Sequence, residues 1–127
     1  MMNTKKIAVI AHDSKKADMV NFLAQRIEQL KDYSFVATGT TGSYVLKTGL
    51  HVEPKLSGPL GGDAQIAAMV AQKELDMVIF FRDPLGKHPH EPDVQMLMRL
   101  CDVHDVPLAT NPKTADLILR GYFQMSK

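Results

Sequence analysis

Short runs of apolar residues recur along the chain and are separated by longer segments of mixed polarity. Four of them cover residues 6–11, 34–38, 76–81 and 106–110, and a weaker fifth candidate covers residues 52–56. Near-continuous apolar runs of this length are typical of strands that are buried on both faces of a parallel sheet. The pattern therefore predicts about five strands.

The segments between these runs carry apolar residues at helical spacing. This spacing predicts helices within residues 20–30, 66–70 and 94–101. A further helix is expected to begin near Thr41. Asn111-Pro112 is typical of an N-cap followed by proline at the first helical position, and Gly121 is expected to end that last helix.

Alternating strands and helices predict an α/β fold in one domain, residues 1–127. We expect a doubly wound, mostly parallel sheet of about five strands with helices on both faces. Apolar residues make up 45% of the chain and charged residues 23%, as in ordinary globular proteins. A net charge of +1 does not indicate a nucleic acid or a membrane as partner. The single cysteine, Cys101, and a first apolar run too short for a signal peptide favour the cytoplasm.

Ligands of doubly wound sheets bind beyond the carboxyl ends of the strands, and the polar residues of this chain concentrate there. The second strand ends in Thr38-Gly39-Thr40-Thr41-Gly42. Glycine lets backbone N–H groups approach an anion, threonine adds hydroxyl donors, and the following helix would point its N-terminus at the same place. This segment is either a phosphate cradle or a capped turn. Lys15 and Lys16 at the first strand end favour phosphate.

The third strand runs into Ser57-Gly58-Pro59-Leu60-Gly61-Gly62-Asp63. Gly58 would present an N–H to a substrate oxygen, and Gly61-Gly62 would bring the chain close to a small ligand. Asp63 then falls in the first turn of the next helix. The alternative is a tight turn in which Asp63 only caps that helix.

The loop after the fourth strand contains His88-Pro89-His90-Glu91-Pro92-Asp93. Its prolines restrict the backbone around His90, which would suit acid–base chemistry near neutral pH. The spacing matches no closed zinc site, so no metal is expected. The alternative is a solvated loop with Asp93 as a first-turn charge. No Walker or dinucleotide motif accompanies these residues, and together they suit proton abstraction next to a carbonyl in a small phosphorylated metabolite.

The same motifs resemble those of the methylglyoxal synthase family. The resemblance rests on A-H-D-x-x-K, A-T-G-T-T-G, L-S-G-P-x-G-G-D, D-P, P-H-x-P-D-V and A-T-N, which follow one another in order between about residues 5 and 118. It implies a lyase, working without a cofactor, that converts dihydroxyacetone phosphate to methylglyoxal and inorganic phosphate. It also implies a homohexamer that phosphate inhibits.

The resemblance further implies a role for each site residue. Asp63 would be the base that removes the C3 proton, and His90, with Asp93 behind it, would move protons among the enediolate oxygens. His12 and the N–H of Gly58 would bind those oxygens. The phosphate would be held by Lys16, Thr38, Gly39, Thr40, Thr41 and Ser57, while Asp13 and Asp83 would support the site from behind. The resemblance suggests no role for Arg82.

Two other classes of protein remain as alternatives. The fold type also resembles the regulatory domain of carbamoyl-phosphate synthetase, so the chain could be a non-catalytic sensor of a phosphorylated metabolite. Such a sensor would keep the cradle without needing Asp63, His90 and Asp93 together. A receiver domain of the response-regulator type would need an acidic cluster at the third strand end, and the glycine-rich cradle fits that class poorly.

Overall fold

The computed structural model describes residues 5–86 and 91–125. Within these ranges, five parallel strands form one sheet in the order β3-β2-β1-β4-β5. The strands are β1 (Lys6–Ala11), β2 (Ser34–Thr38), β3 (His51–Lys55), β4 (Met77–Phe81) and β5 (Leu108–Ala109). The predicted parallel sheet of about five strands is thus confirmed. The order differs from the 2-1-3-4-5 arrangement of receiver domains, which removes that alternative.

In the described part of the chain, six helices connect and flank the strands. They are α1 (Lys16–Ala24), α2 (Ile27–Leu30), α3 (Gly39–Leu46), α4 (Gly62–Ala71), α5 (Glu91–Val103) and α6 (Pro112–Met125). Single 3-10 turns, Asp13–Lys15 and Gly58–Leu60, precede α1 and α4 respectively.

The helices cover both faces of the sheet, as predicted. One apolar cluster joins β1 residues Ile7 and Val9 to side chains of α1, α3 and α6. The other joins the alternate β1 residues Ala8 and Ile10 to α4 and α5. Successive strand residues point to opposite faces, so a continuous apolar run is what a strand between two helix layers requires.

The face of the sheet on which the following helix packs changes between the neighbouring strands β1 and β4. The helix after β1 packs on one face and the helix after β4 packs on the other. The chain therefore leaves the carboxyl ends of these two strands toward opposite faces, and a crevice forms between them. Ligands of doubly wound sheets bind in such a crevice.

Several boundaries differ from the predictions. The strand expected over 106–110 pairs only at Leu108 and Ala109, because Pro107 has no N–H to donate to a ladder. The strand expected over 52–56 covers 51–55, and the strand expected from residue 76 begins at Met77. The helix expected near Thr41 begins at Gly39.

The helix expected within 20–30 is broken at Gln25 and Arg26. The backbone of Arg26 leaves helical geometry, with φ −125° and ψ 19°. Its guanidinium donates to the Phe22 carbonyl at 2.8 Å and to Asp116 of α6 at 2.9 Å. The break thus places this side chain between two helices.

The expectation that Gly121 ends the last helix is wrong, because α6 continues to Met125. The Tyr122 hydroxyl donates to the Asp76 carbonyl, and Phe123 packs against Tyr33 in the core. These contacts hold the chain helical beyond the glycine. Among the described residues, no helix has the length and apolar character needed to cross a bilayer.

Candidate active site

A cavity of about 220 Å³ lies at the carboxyl ends of β1, β2 and β3. Most of the predicted site residues line it. They are His12, Asp13, Lys16, Thr38, Gly39, Thr41, Ser57, Gly58 and Asp63. The chain thus brings together residues from three strand ends that are up to about fifty positions apart in sequence, as the parallel sheet predicts.

The predicted cradle forms one wall of this cavity. Thr38 and Thr41 are buried, and Thr41 Oγ1 has no hydrogen-bond partner among the described residues. Thr38 is the N-cap residue of α3, and no side-chain cap is present there in the described structure. The first-turn N–H groups and a buried hydroxyl therefore face a position that suits an anion.

The turn into α3 requires a glycine. Gly39 has φ +55°, in the left-handed region, and a Cβ there would lie 3.2 Å from the Cβ of Ser57. Its N–H donates to the Leu56 carbonyl at 3.2 Å. Gly39 thus joins the cradle to the loop after β3 rather than offering its own N–H to a ligand.

The structure distinguishes Lys16 from Lys15. The Lys16 ammonium donates to Thr40 Oγ1 at 2.5 Å and lies 2.8 Å from Asp13 Oδ1. Thr40 does not line the cavity in the described structure, but this contact holds the lysine beside it. Lys15 lines a different cavity. Of the two lysines, Lys16 is therefore the one that lies beside the predicted cradle.

His12 is buried and held in one orientation. Its Nδ1 accepts a hydrogen bond from the backbone N–H of Asp83 at 2.8 Å, and its ring meets Phe80 edge-on at 5.1 Å. A nitrogen that accepts an N–H bond carries no proton, so the neutral ring carries its proton on Nε2. The Asp83 backbone thus selects the tautomer in which Nε2 is a donor.

Asp63 is fully buried in the first turn of α4. Burial in a small polar cavity separates this carboxylate from bulk water, and the helix N-terminus favours its negative charge. Gly58 begins the 3-10 turn just before it, where its N–H has no partner within the turn. One loop therefore supplies both a carboxylate and a backbone donor.

The two adjacent glycines of this loop have different functions. Gly61 has φ +106°, in the left-handed region. A Cβ on Gly62 would lie only 1.8 Å from the Leu56 carbonyl oxygen. Gly62 therefore brings α4 against the backbone of Leu56 and Ser57, rather than close to a ligand as we expected.

The remaining predicted residues lie around the cavity or outside the described residues. Besides its bond to His12, Asp83 accepts the N–H of Leu85 at 3.0 Å through Oδ1. Asp93 is half-buried in the first turn of α5. His90 lies outside the described residues, and so does His88.

The sequence analysis missed three residues that line the cavity, Ile10, Ala11 and Pro59. The first two are the last residues of a predicted strand, and this position at the carboxyl end of a strand could have indicated their place in the site. It also missed Gln65, whose Oε1 accepts the Leu56 N–H at 2.8 Å. Within residues 5–86 and 91–125, no three histidine, cysteine or acidic side chains are grouped so that they could hold a metal ion.

Comparison with known proteins gives a consistent result. A family model described as "MGS-like domain" matches residues 18–110. The methylglyoxal synthase of Lysinibacillus sphaericus (strain C3-41) is 59% identical over 117 residues, which are 91% of this chain and 87% of that protein. That of Clostridium botulinum (strain Alaska E43 / Type E3) is 52% identical over 118 residues, 92% of this chain and 99% of that protein.

A solved structure extends the similarity to three dimensions. The crystal structure of methylglyoxal synthase from Elizabethkingia anophelis NUHP1 matches with a TM-score of 0.84 and 44% sequence identity, over 91% of this chain and 77% of that one. The sequence and structure comparisons thus agree on the family. The chain belongs to the methylglyoxal synthase family.

Proposed function

We propose that this chain is an active carbon–oxygen lyase that converts dihydroxyacetone phosphate to methylglyoxal and inorganic phosphate. The observation that carries the proposal is the fully buried carboxylate of Asp63, in one small cavity with the Thr38–Thr41 cradle and Lys16. A sensor of the same fold would need the cradle but would gain nothing from burying a carboxylate beside its ligand, since burial of an ionised group costs free energy.

Asp63 is proposed as the general base. Its carboxylate takes a proton from C3 of the substrate, and the C3–H electrons form the double bond of an enediolate. Negative charge then develops on the substrate oxygens, where the His12 Nε2–H and the Gly58 N–H are placed to donate. Preoriented donors of this kind stabilise developing charge without reorganising during the reaction.

The cradle is proposed to hold the phosphate ester until it leaves. The enediolate electrons expel the phosphate as the C1–O bond breaks, and the resulting enol accepts a proton on carbon to become methylglyoxal. No external oxidant or reductant is needed, because C3 is oxidised to the aldehyde level as C1 is reduced to a methyl group. Lys16 and the first turn of α3 offset the charge of the departing phosphate.

The other polar residues are given supporting roles. His90 is proposed to move protons among the substrate oxygens, with Asp93 holding it. Asp83 positions His12 through its backbone N–H, and Asp13 positions Lys16 through their ion pair. These assignments follow the family resemblance and the contacts just described.

The oligomeric state, inhibition by phosphate and cellular compartment are also part of the proposal. Large apolar side chains stand exposed on this chain, among them Leu85 at 95% and Leu60 at 71%. Such surface is typical of a protein that associates with copies of itself, and we propose the homohexamer that the resemblance implies. Inorganic phosphate, as product, would compete for the cradle and inhibit. A single buried thiol suits the cytoplasm.

The test is turnover of dihydroxyacetone phosphate by purified protein, with a chelator present and no cofactor added. Wild type should release methylglyoxal and phosphate in equal amounts. Asp63→Asn should lose about 10²–10⁴-fold in kcat, the range for a positioned acid–base group. Asp32→Asn, at an exposed aspartate remote from the cavity, is the matched control and should be unchanged. Tight phosphate binding without turnover would instead make the chain a sensor.

The Lys16→Ala variant tests the role of the cradle independently of the role of Asp63 as the base. Because the ammonium contacts the substrate phosphate before and during the reaction, its loss should raise KM more than it lowers kcat. An unchanged KM would contradict the assignment of Lys16 while leaving that of Asp63 intact.

A further inference from the structure

A second, larger cavity opens at the carboxyl edge of the sheet. Its volume is about 550 Å³ and it lies beyond the ends of β4 and β5, next to the N-termini of α1 and α6. Its lining consists of Lys15, Asp18, Phe81, Arg82, Pro84, Thr110, Asn111 and Pro112. None of these residues lines the 220 Å³ cavity that contains Asp63. The two cavities are therefore separate.

Neighbouring residues of the chain are divided between these cavities. Lys16 lines the smaller one and is engaged by Asp13 and Thr40. Lys15, one position earlier, lines the larger one and forms no ion pair with any residue in ranges 5–86 and 91–125. Asp83 likewise bonds to His12, whereas Arg82 lines the larger cavity. Lys15 and Arg82, which the proposed reaction does not use, thus line the same cavity.

The charge of Arg82 is only partly offset. One of its terminal nitrogens lies 3.4 Å from Glu91 Oε1, and that oxygen also accepts Gln95 Nε2 at 3.1 Å. Arg82 Nε is buried without a hydrogen-bond partner among the described residues. A guanidinium has five N–H donors, so one long contact leaves most of them available. Asp18 is the only carboxylate in the described lining, against two cations.

The rest of the lining provides neutral contacts. Asn111 Oδ1 accepts both the N–H and the hydroxyl of Thr114 at 3.0 Å. Its amide NH₂ is left as a donor next to the N-terminus of α6. Phe81 and two prolines supply an apolar wall. Apolar walls with a few convergent polar groups, in a volume of about 300–1,000 Å³, are typical of sites for small organic ligands.

We propose that this cavity is a second binding site, for a small organic anion that carries a phosphate or carboxylate group. Lys15 and Arg82 bind the anionic group, and the Asn111 amide and Thr110 bind polar atoms of the ligand's body. The site is independent of the reaction at Asp63, so it accepts its ligand whether or not dihydroxyacetone phosphate is turned over.

Amide NMR of the ¹⁵N-labelled protein tests this site directly. The probes are inorganic phosphate and malonate, titrated separately so that phosphate and carboxylate recognition are distinguished. Binding in the larger cavity should shift the amides of Thr110 and Asn111. Binding in the cradle should shift those of Thr40 and Thr41. Each site thus has its own signals, and neither depends on catalysis.

Four variants give opposite expectations for the two sites. Lys15→Ala should weaken binding reported by Thr110 and Asn111 about tenfold, since it removes a charged donor, and should leave binding at the cradle unchanged. Arg82→Met should act like Lys15→Ala. Lys16→Ala should weaken binding at the cradle and leave binding in the larger cavity unchanged. Asp18→Asn should tighten binding in the larger cavity, because it removes the carboxylate that opposes the anion.

Three results would overturn the proposal. The first is the absence of a saturable shift at Thr110 and Asn111 with either probe, as would be seen if a second copy of the chain filled the cavity. The second is weaker binding in Asp18→Asn, and the third is equal weakening of both sites in Lys15→Ala. Since turnover is not the readout, none of these results bears on the proposed lyase activity.

Discussion

Gly62→Ala tests the link between backbone packing and the position of the proposed base. The ideal Cβ at this position lies 1.8 Å from the Leu56 carbonyl oxygen and 2.8 Å from its carbon. Carbon–oxygen contacts are normally about 3.3 Å or longer, so the shortfall is about 1.5 Å. Both obstructing atoms belong to the backbone and cannot rotate away. The start of α4 must therefore move, and Asp63 with it.

The expected size of the effect follows from that displacement. A misplacement of about 1 Å in a catalytic group can lower a rate by about 10²-fold. Overpacking of a tight contact also costs about 1–3 kcal/mol of folding stability. We thus expect kcat for release of methylglyoxal to fall about a hundredfold, with a lower thermal midpoint. Phosphate affinity should change much less, since Thr38, Thr41 and Lys16 lie on other elements.

Gly49→Ala is the matched control for lost stability. Gly49 has φ +92° but nothing within 4 Å of its ideal Cβ, so alanine there introduces only backbone strain of about 1–2 kcal/mol. This variant should lose stability while keeping kcat. The reasoning fails if Gly62→Ala keeps wild-type kcat, or if Gly49→Ala loses as much activity at the same temperature.

Three further predictions concern the rest of the molecule. Gly121→Ala lies inside α6 with open space around the new methyl group, and should raise stability by about 0.5–1 kcal/mol in thermal unfolding; a lower midpoint would contradict this. The hydrogen bond from Arg26 lowers the pKa of Asp116 from its usual 3.8, so this carboxylate stabilises the fold above that pH and progressively less as the pH falls through the lowered value. Asp116→Asn should therefore lower the midpoint at pH 7 and converge with wild type in acid, and a constant difference at all pH values would refute the linkage. Burial raises the pKa of the Cys101 thiol to about 11, so a disulfide reagent at pH 8 should label it only as fast as the protein unfolds, and rapid labelling of the native chain would contradict its burial.

The sheet and its functional edge were predictable because the signal is local. A strand between two helix layers must be apolar throughout, and β1, β2 and β4 are. Once the strands are parallel, their carboxyl ends share one edge, so the polar loops after β1, β2 and β3 must meet. Nine of the predicted site residues line one cavity for this reason.

The features that were missed depend on distant contacts. The helix is interrupted at Arg26, whose side chain contacts Asp116, 90 positions away. Helix α6 continues beyond Gly121 because Tyr122 and Phe123 pack against the core. Lys16, unlike Lys15, is held beside the smaller cavity by Thr40, 24 positions away. No local pattern encodes any of these contacts.

The two outer strands limit how this sheet can grow. β3 contains Pro54, which has no N–H, between Glu53 and Lys55, whose side chains form an ion pair at 2.8 Å. At the other edge, β5 is only two residues long. Proline, charge and shortness on outer strands all discourage the addition of a foreign strand. The chain is thus protected against edge-to-edge aggregation, and any assembly of its copies would be built through helices and loops.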